Sequence, residues 1–158
     1  MRVPPRATKS WLVTSLSVVL FVSDRIFKHI ALTLPGDFLS SSIAAFALFK
    51  NTGIAFSIPV AAWLFWPTAL LVFLVLSLMF AQAFGKDRYR AAVLGCILLG
   101  ALSNLIDRAF YGATIDYLIF FNRSAVNIAD AMIVAGTILL LAQTSQQMVT
   151  SPSLASPE

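Results

Sequence analysis

The sequence predicts an all-α polytopic membrane protein: four transmembrane helices with a small β-rich outer-face loop and a short helix in a second outer loop. Three observations carry that expectation. Hydrophobic side chains make up 59% of the 158 residues and charged ones 11%, against ~45–50% and ~25% in soluble domains. Mean hydropathy is +0.86. Four apolar stretches approach the ~20 residues that a helix needs to cross ~30 Å of hydrocarbon. An ordinary soluble domain is excluded, and so is intrinsic disorder, which needs low hydrophobicity and high net charge. A single cysteine, Cys96, excludes an intramolecular disulfide and a multi-cysteine metal cluster. The net charge of +4 reads as topology and not as nucleic-acid binding, because no aromatic-studded basic stripe accompanies it.

The first span covers residues 11–34 and carries Asp24, Arg25 and Lys28 in its second half. Its basic start (Arg2, Arg6, Lys9) resembles a signal peptide. The apolar run ends, however, in Ser23-Asp24-Arg25 instead of a small-x-small cleavage site, so a retained helix is expected. The second span, 60–84, has no charge, and Pro67 sits in its first turns, where proline is tolerated or kinks the helix. The third and fourth, 91–106 and 125–142, are short for full spans and should extend into their flanks. Arg2, Arg6, Lys9, Lys86, Arg88 and Arg90 fall on one side if the spans alternate, and the positive-inside rule makes that side cytoplasmic. Residues 1–10 are then a cytoplasmic N-terminus and 11–142 a four-helix membrane domain. The Ser/Pro-rich segment 143–158 is expected to be a disordered cytoplasmic tail.

Two outer loops remain. Residues 35–59 show partial alternation and an Asn51-Thr52-Gly53 turn signal, which suggests short strands on the bilayer surface. Residues 107–124 are expected to hold a short amphipathic helical piece and a turn at Gly112.

The carboxylates are more informative than the spans. Of seven, Asp37, Asp87 and Glu158 fall in loops or the tail. Asp24, Asp107, Asp116 and Asp130 lie in or beside apolar segments, where an ionisable group costs ~2.5–3.5 kcal/mol at the bilayer centre. Under the alternating topology all four gather at the outer face. Asn104, Asp107 and Arg108 share a helical face at i, i+3 and i+4, as do Asn127 with Asp130 and Asp24 with Lys28. Asp107 with Arg108 reads as a helix-end ion pair. Gly95, Gly100, Ser103, Ala129 and Gly136 would let helices approach closely.

Two aspartates close together in low dielectric cannot both ionise cheaply, so one keeps its proton. Such a pair can hold a water, deprotonate it as it attacks a carbonyl, and protonate the leaving amine. Other chemistries fit less well. Zinc wants His or Cys at ligand spacing, and the chain has only His29 and Cys96. A serine or cysteine nucleophile needs a nearby base. A proton or cation path should place ionisable groups through the membrane, yet the second span has none and the third has none before Asp107. A purely structural scaffold gives no reason for so many acids on one side.

Five stretches, in order across residues 11–142, resemble the lipoprotein signal peptidase (signal peptidase II) family of bacterial inner membranes. They are Asp24-Arg-Ile-Phe-Lys28, Asn51-Thr-Gly-Ile-Ala-Phe56, Gly100-Ala-Leu-Ser-Asn104-Leu-Ile-Asp107-Arg108, Ile115-Asp116-Tyr117 and Asn127-Ile-Ala-Asp130. The resemblance implies an aspartic endopeptidase, with no organic cofactor or metal, that cuts prolipoproteins N-terminal to a diacylglyceryl-modified cysteine. The short helix expected in the second outer loop would then be periplasmic. The catalytic pair would match Asp116 and Asp130. Asn51, Gly53, Phe56, Asn104, Arg108 and Asn127 would bind substrate or shape the site, and Asp24, Lys28 and Asp107 would form a structural polar network. The expected partners are prolipoproteins and membrane lipids, with the protein a monomer. Its site would face the periplasm, and residues 35–59 would clamp the peptide, with Phe46, Phe49 and Phe56 covering the site. The chain departs from the family pattern at Leu99-Gly100, Ser103, Tyr117 and Val126.

Overall fold

The computed structural model describes residues 5–34, 39–41, 44–54, 58–121 and 124–150. The helices are α1 (Pro5–Thr33), α2 (Ala62–Ala83), α3 (Arg88–Tyr111) and α4 (Ile128–Thr150). The strands are β1 (Leu39–Ser40), β2 (Ala44–Asn51), β3 (Thr114–Phe120) and β4 (Ser124–Val126). Each helix contains a segment long and apolar enough to cross a membrane: Lys9–Thr33, Ala62–Ala83, Arg88–Tyr111 and Ile128–Ser145.

Helix α3 is the axis of the bundle. It packs against α1, α2 and α4 and buries Ala91, Ala92, Val93, Leu94, Ile97 and Gly100. Small residues set its distance to α4. A Cβ at Gly100 would stand 2.7 Å from the Ala129 carbonyl oxygen and 3.0 Å from Ile133, so only glycine permits this approach. Helix α2 contacts the bundle through α3, and none of its most apolar window is buried in protein. A helix apolar all round with so little protein contact is one whose solvent is lipid.

The strands from both connections form one antiparallel sheet in the order β1-β2-β3-β4. Strand β3 lies inside it, and Thr114, Ile115, Asp116 and Tyr117 are all buried. The segment 107–124 therefore contains no separate short helix among its described residues, contrary to expectation. Helix α3 runs on through Tyr111 and ends at Gly112, whose φ of 69° is the left-handed conformation of a helix C-cap. Asn104, Asp107 and Arg108 find partners along one face of α3, so nothing halts the helix at residue 106. The β-branched and aromatic run Thr114-Ile115-Asp116-Tyr117-Leu118-Ile119-Phe120 then pairs as a strand.

The expected break after residue 142 is also absent. Helix α4 continues to Thr150, since no Gly or Pro lies between residue 142 and Pro152. Residues 151–158 lie outside the described residues.

Candidate active site

Beneath the sheet, α1 and α3 enclose a cluster of ions. Lys28 is fully buried. Its Nζ lies 2.9 Å from Asp24 Oδ2 and 2.7 Å from Asp107 Oδ2. It also donates to Asn104 Oδ1 at 2.8 Å and to Ser103 Oγ at 3.3 Å. Arg25 reaches the other Asp107 oxygen at 2.6 Å. Two cations thus face two carboxylates, and the charges balance within the cluster. Asp107 does not pair with its neighbour Arg108, because i and i+1 side chains diverge on a helix; it points to α1 instead and accepts the Ile115 N–H at 3.2 Å. The first span is therefore an integral wall of the site.

Helix α4 begins against this cluster. Its first four backbone N–H groups have no partner within the helix, and every one finds a side chain. Asn127 and Asp130 form a reciprocal capping box: the Asp130 N–H donates to Asn127 Oδ1 at 2.8 Å, and the Asn127 N–H to Asp130 Oδ2 at 3.3 Å. The Ile128 N–H donates to the Tyr117 hydroxyl at 3.1 Å, and the Ala129 N–H to Asp24 Oδ1 at 3.1 Å.

The two remaining aspartates are linked above through amide side chains. Asp116 lies on β3 opposite Phe49 of β2, and Asn51 pairs with Thr114 two residues away, which places Asn51 diagonally on the same face. Asn51 Nδ2 donates to Asp116 Oδ2 at 3.1 Å. Its Oδ1 accepts the Gly53 N–H at 3.0 Å, which fixes the turn and the amide orientation. Asn127 Nδ2 donates to Asp116 Oδ1 at 2.6 Å and also meets Asn104 Oδ1 at 3.3 Å. Asn104 Nδ2 donates to Asp130 Oδ1 at 2.8 Å. Three amides thus hold the two carboxyl groups, and Asn127 touches both. Burial, and secondly the charge of Asp130, push the Asp116 carboxyl up to about 6, while hydrogen bonds from Asn51 and Asn127 pull against that rise. The Asp116 carboxyl therefore feels the charge of Asp130.

Arg108 closes the rim. Its guanidinium donates to the Gly53 carbonyl and lies 4.2 Å from the centroid of the Phe65 ring, a cation–π contact that holds α2 to the site.

The structure brings together Asp116, Asp130, Asn51, Gly53, Asn104, Arg108 and Asn127, and below them Asp24, Lys28 and Asp107. Phe56 lies outside the described residues. Phe46 does not cover the carboxyls; it packs with Phe27 and Tyr117 at centroid distances of 6.1 and 5.5 Å. Sequence reasoning missed Arg25 as the second cation on Asp107 and Phe65 as the platform for Arg108. It marked Tyr117 only as a departure and Ser103 as a departure and a small packing residue, although both hydroxyls contact Asp24. The adjacency of Tyr117 to Asp116 on a strand buried on both faces was the available signal. Among the described residues, no group of three His, Cys, Asp or Glu is placed to hold a metal ion.

A four-span bundle with two amide-held carboxyl groups beside a small sheet defines a membrane enzyme of the aspartic peptidase class. Residues 16–146 match the model of a family described as Signal peptidase (SPase) II, and the chain belongs to that family. It is 35% identical over 162 residues to a lipoprotein signal peptidase of Mesorhizobium japonicum, covering 94% of this chain and 95% of that one. It is 42% identical over 93 residues to one from Syntrophomonas wolfei, covering 58% of this chain and 62% of that relative. A solved bacterial membrane enzyme shares the fold with a TM-score of 0.69 at 21% identity, covering 93% of this chain and 94% of that one.

Proposed function

We propose that this protein is a membrane endopeptidase that removes signal peptides from diacylglyceryl-modified prolipoproteins, cutting N-terminal to the lipidated cysteine, with Asp116 and Asp130 as the catalytic pair. Membership of the signal peptidase II family supports the substrate class. The observation that carries the assignment of the pair is Asn127, whose side chain and backbone hydrogen-bond both carboxyl groups.

The pair holds one proton, and a water lies between the two acids. The ionised carboxylate takes a proton from the water as its oxygen attacks the scissile carbonyl carbon. The protonated partner gives its proton to the carbonyl oxygen, so a neutral gem-diol forms and the pair again carries one proton. On collapse that proton passes to the leaving nitrogen as the C–N bond breaks. The other carboxylate removes a hydroxyl proton. One water is consumed, and the pair regains its starting state. The pair titrates as a unit. The Asn51–Gly53 turn, braced by Arg108, lies beside Asp116 and clamps the peptide backbone, while the diacylglyceryl chains remain in lipid.

Both termini lie in the cytoplasm and the site faces the periplasm. Lys9, Lys86, Arg88 and Arg90 lie at the end of the bundle away from the aspartates. The positive-inside rule makes the end that holds those four cations the cytoplasmic one. One chain supplies every group of the site, and the protein acts as a monomer.

The test is release of the signal peptide from a diacylglyceryl-modified prolipoprotein by purified protein. Asp116→Asn and Asp130→Asn should each abolish release and leave the helical content unchanged. Turnover by either variant at more than a trace of the wild-type rate would refute the assigned pair.

A further inference from the structure

We propose that Tyr117, with Ser103, is a positioning residue for Asp130: the two hydroxyls lock the Asp24 carboxylate under the first turn of α4 and so fix the helix end that carries Asp130 relative to the strand that carries Asp116. This inference rests on the reading of Asp116 and Asp130 as the catalytic pair.

The directions of the hydrogen bonds follow from the donor inventory. A backbone N–H can only donate, so at 3.1 Å the Tyr117 oxygen accepts from Ile128. The hydroxyl proton is then free for Asp24 Oδ1, 3.0 Å away. That same oxygen accepts the Ala129 N–H at 3.1 Å. The second oxygen, Oδ2, accepts the Ser103 hydroxyl at 2.6 Å and faces the Lys28 ammonium at 2.9 Å. Four donors therefore converge on Asp24, which is the full acceptor capacity of a carboxylate. Asp24, Ser103 and Tyr117 are all buried, with at most 1% of their surface exposed. Burial, and secondly the Asp24 charge, raise the Tyr117 phenol above its usual range, so it stays a donor.

The local capping box cannot do this work. Asn127 and Asp130 satisfy two of the four orphan amides from within the same turn, so they move with it. The other two amides are held from outside, one by β3 and one by α1. Tyr117 adjoins Asp116, so a single strand carries one carboxyl and grips the helix start that carries the other. The Tyr117 ring is itself wedged against Phe27 and Phe46, at centroid distances of 5.7 and 5.5 Å, which leaves the hydroxyl little freedom.

Tyr117→Phe keeps the ring and removes only the oxygen. With prolipoprotein as substrate, kcat should fall about ten- to a hundredfold at unchanged KM, as expected when reacting groups are misplaced by a fraction of an ångström. The pH profile of kcat should shift along with it, because the environment shared by the two acids changes. Ser103→Ala, which withdraws the donor from the other Asp24 oxygen, should show the same pattern with a smaller loss; it supplies the test if Tyr117→Phe does not fold. Wild-type kcat and pH profile in the folded variant would overturn the proposal. So would a loss confined to the fraction of active enzyme, with normal turnover per active site. If the wild-type protein itself fails to cleave prolipoprotein, the proposed function fails and this inference with it. Wild-type cleavage with an unaffected Tyr117→Phe variant refutes the positioning role alone.

Discussion

Replacing Lys28 by methionine measures what the buried ion cluster contributes to the bundle. Lys28, Asp24 and Asp107 are all fully buried, and the ammonium sits 2.9 and 2.7 Å from the two carboxylates. Without it, Asp107 keeps Arg25 at 2.6 Å, whereas Asp24 has no cation left among the described residues. Removing one partner of a buried pair costs ~3–5 kcal/mol, because the stranded charge stays in low dielectric. With Asp107 still paired, a loss near the lower bound, about 3 kcal/mol, is expected. Adding Asp24→Asn removes the stranded charge and should recover about 1–2 kcal/mol, a coupling within the range measured for contacting residues. The assay is equilibrium unfolding of the purified protein in mixed micelles, followed by far-UV circular dichroism. Lys28 also holds Asn104 Oδ1, and the Asn104 amide in turn holds Asp130. The double variant should therefore regain stability without regaining turnover. A Lys28→Met protein within about 0.5 kcal/mol of wild type, the ordinary spread of surface substitutions, would refute the reasoning. So would a double variant no more stable than the single one.

Further outcomes follow from the same geometry. For the proposed pair working with one shared proton, kcat/KM should fall as pH rises through the upper value of the pair, near the value of about 6 to which Asp116 is pushed; Asn51→Ala, which removes a donor to the ionised form, should move that limb to higher pH. A folded value above the ordinary carboxylate range means that the native state binds more protons than the unfolded one between about pH 4 and 6. Stability should therefore drop with rising pH in that window, and Asp116→Asn should become progressively more stable than wild type across it in pH-dependent unfolding. Gly100→Val places a side chain where a Cβ already lies 2.7 Å from the Ala129 carbonyl; it should destabilise the fold by ~1–3 kcal/mol and lower kcat by moving Asn104 away from Asp130. Arg108→Lys loses the planar stack on Phe65 and the brace on Gly53, and steady-state kinetics should show KM rising more than kcat falls.

The four spans were legible because lipid imposes a length and a composition that few other structures satisfy. The i, i+3 and i, i+4 spacings along α1, α3 and α4 also revealed which polar groups share a face, since local helical geometry is a property of the chain itself. The same reasoning misjudged Asp107. Its sequence neighbour Arg108 is close along the chain but points to Gly53 and Phe65, while its real partners, Arg25 and Lys28, come from another helix. The 107–124 loop was misread for a related reason. Whether Thr114–Phe120 forms a helical piece or a strand depends on β2 being there to pair with it, and strand propensity reflects that context more than the segment itself.

Four membrane spans, and a gathering of acids toward one end of them, could be read from the residues alone. Hydropathy and the cost of buried charge are summed residue by residue and need no knowledge of the fold. Which acids are neutralised by cations and which are held by amides emerges only once the segments pack together. Asp24 and Asp107 meet two cations, whereas Asp116 and Asp130 meet amides and share Asn127. That division depends on distances of a few ångströms between segments up to a hundred residues apart, and over such distances the Coulomb and desolvation terms change by several kcal/mol.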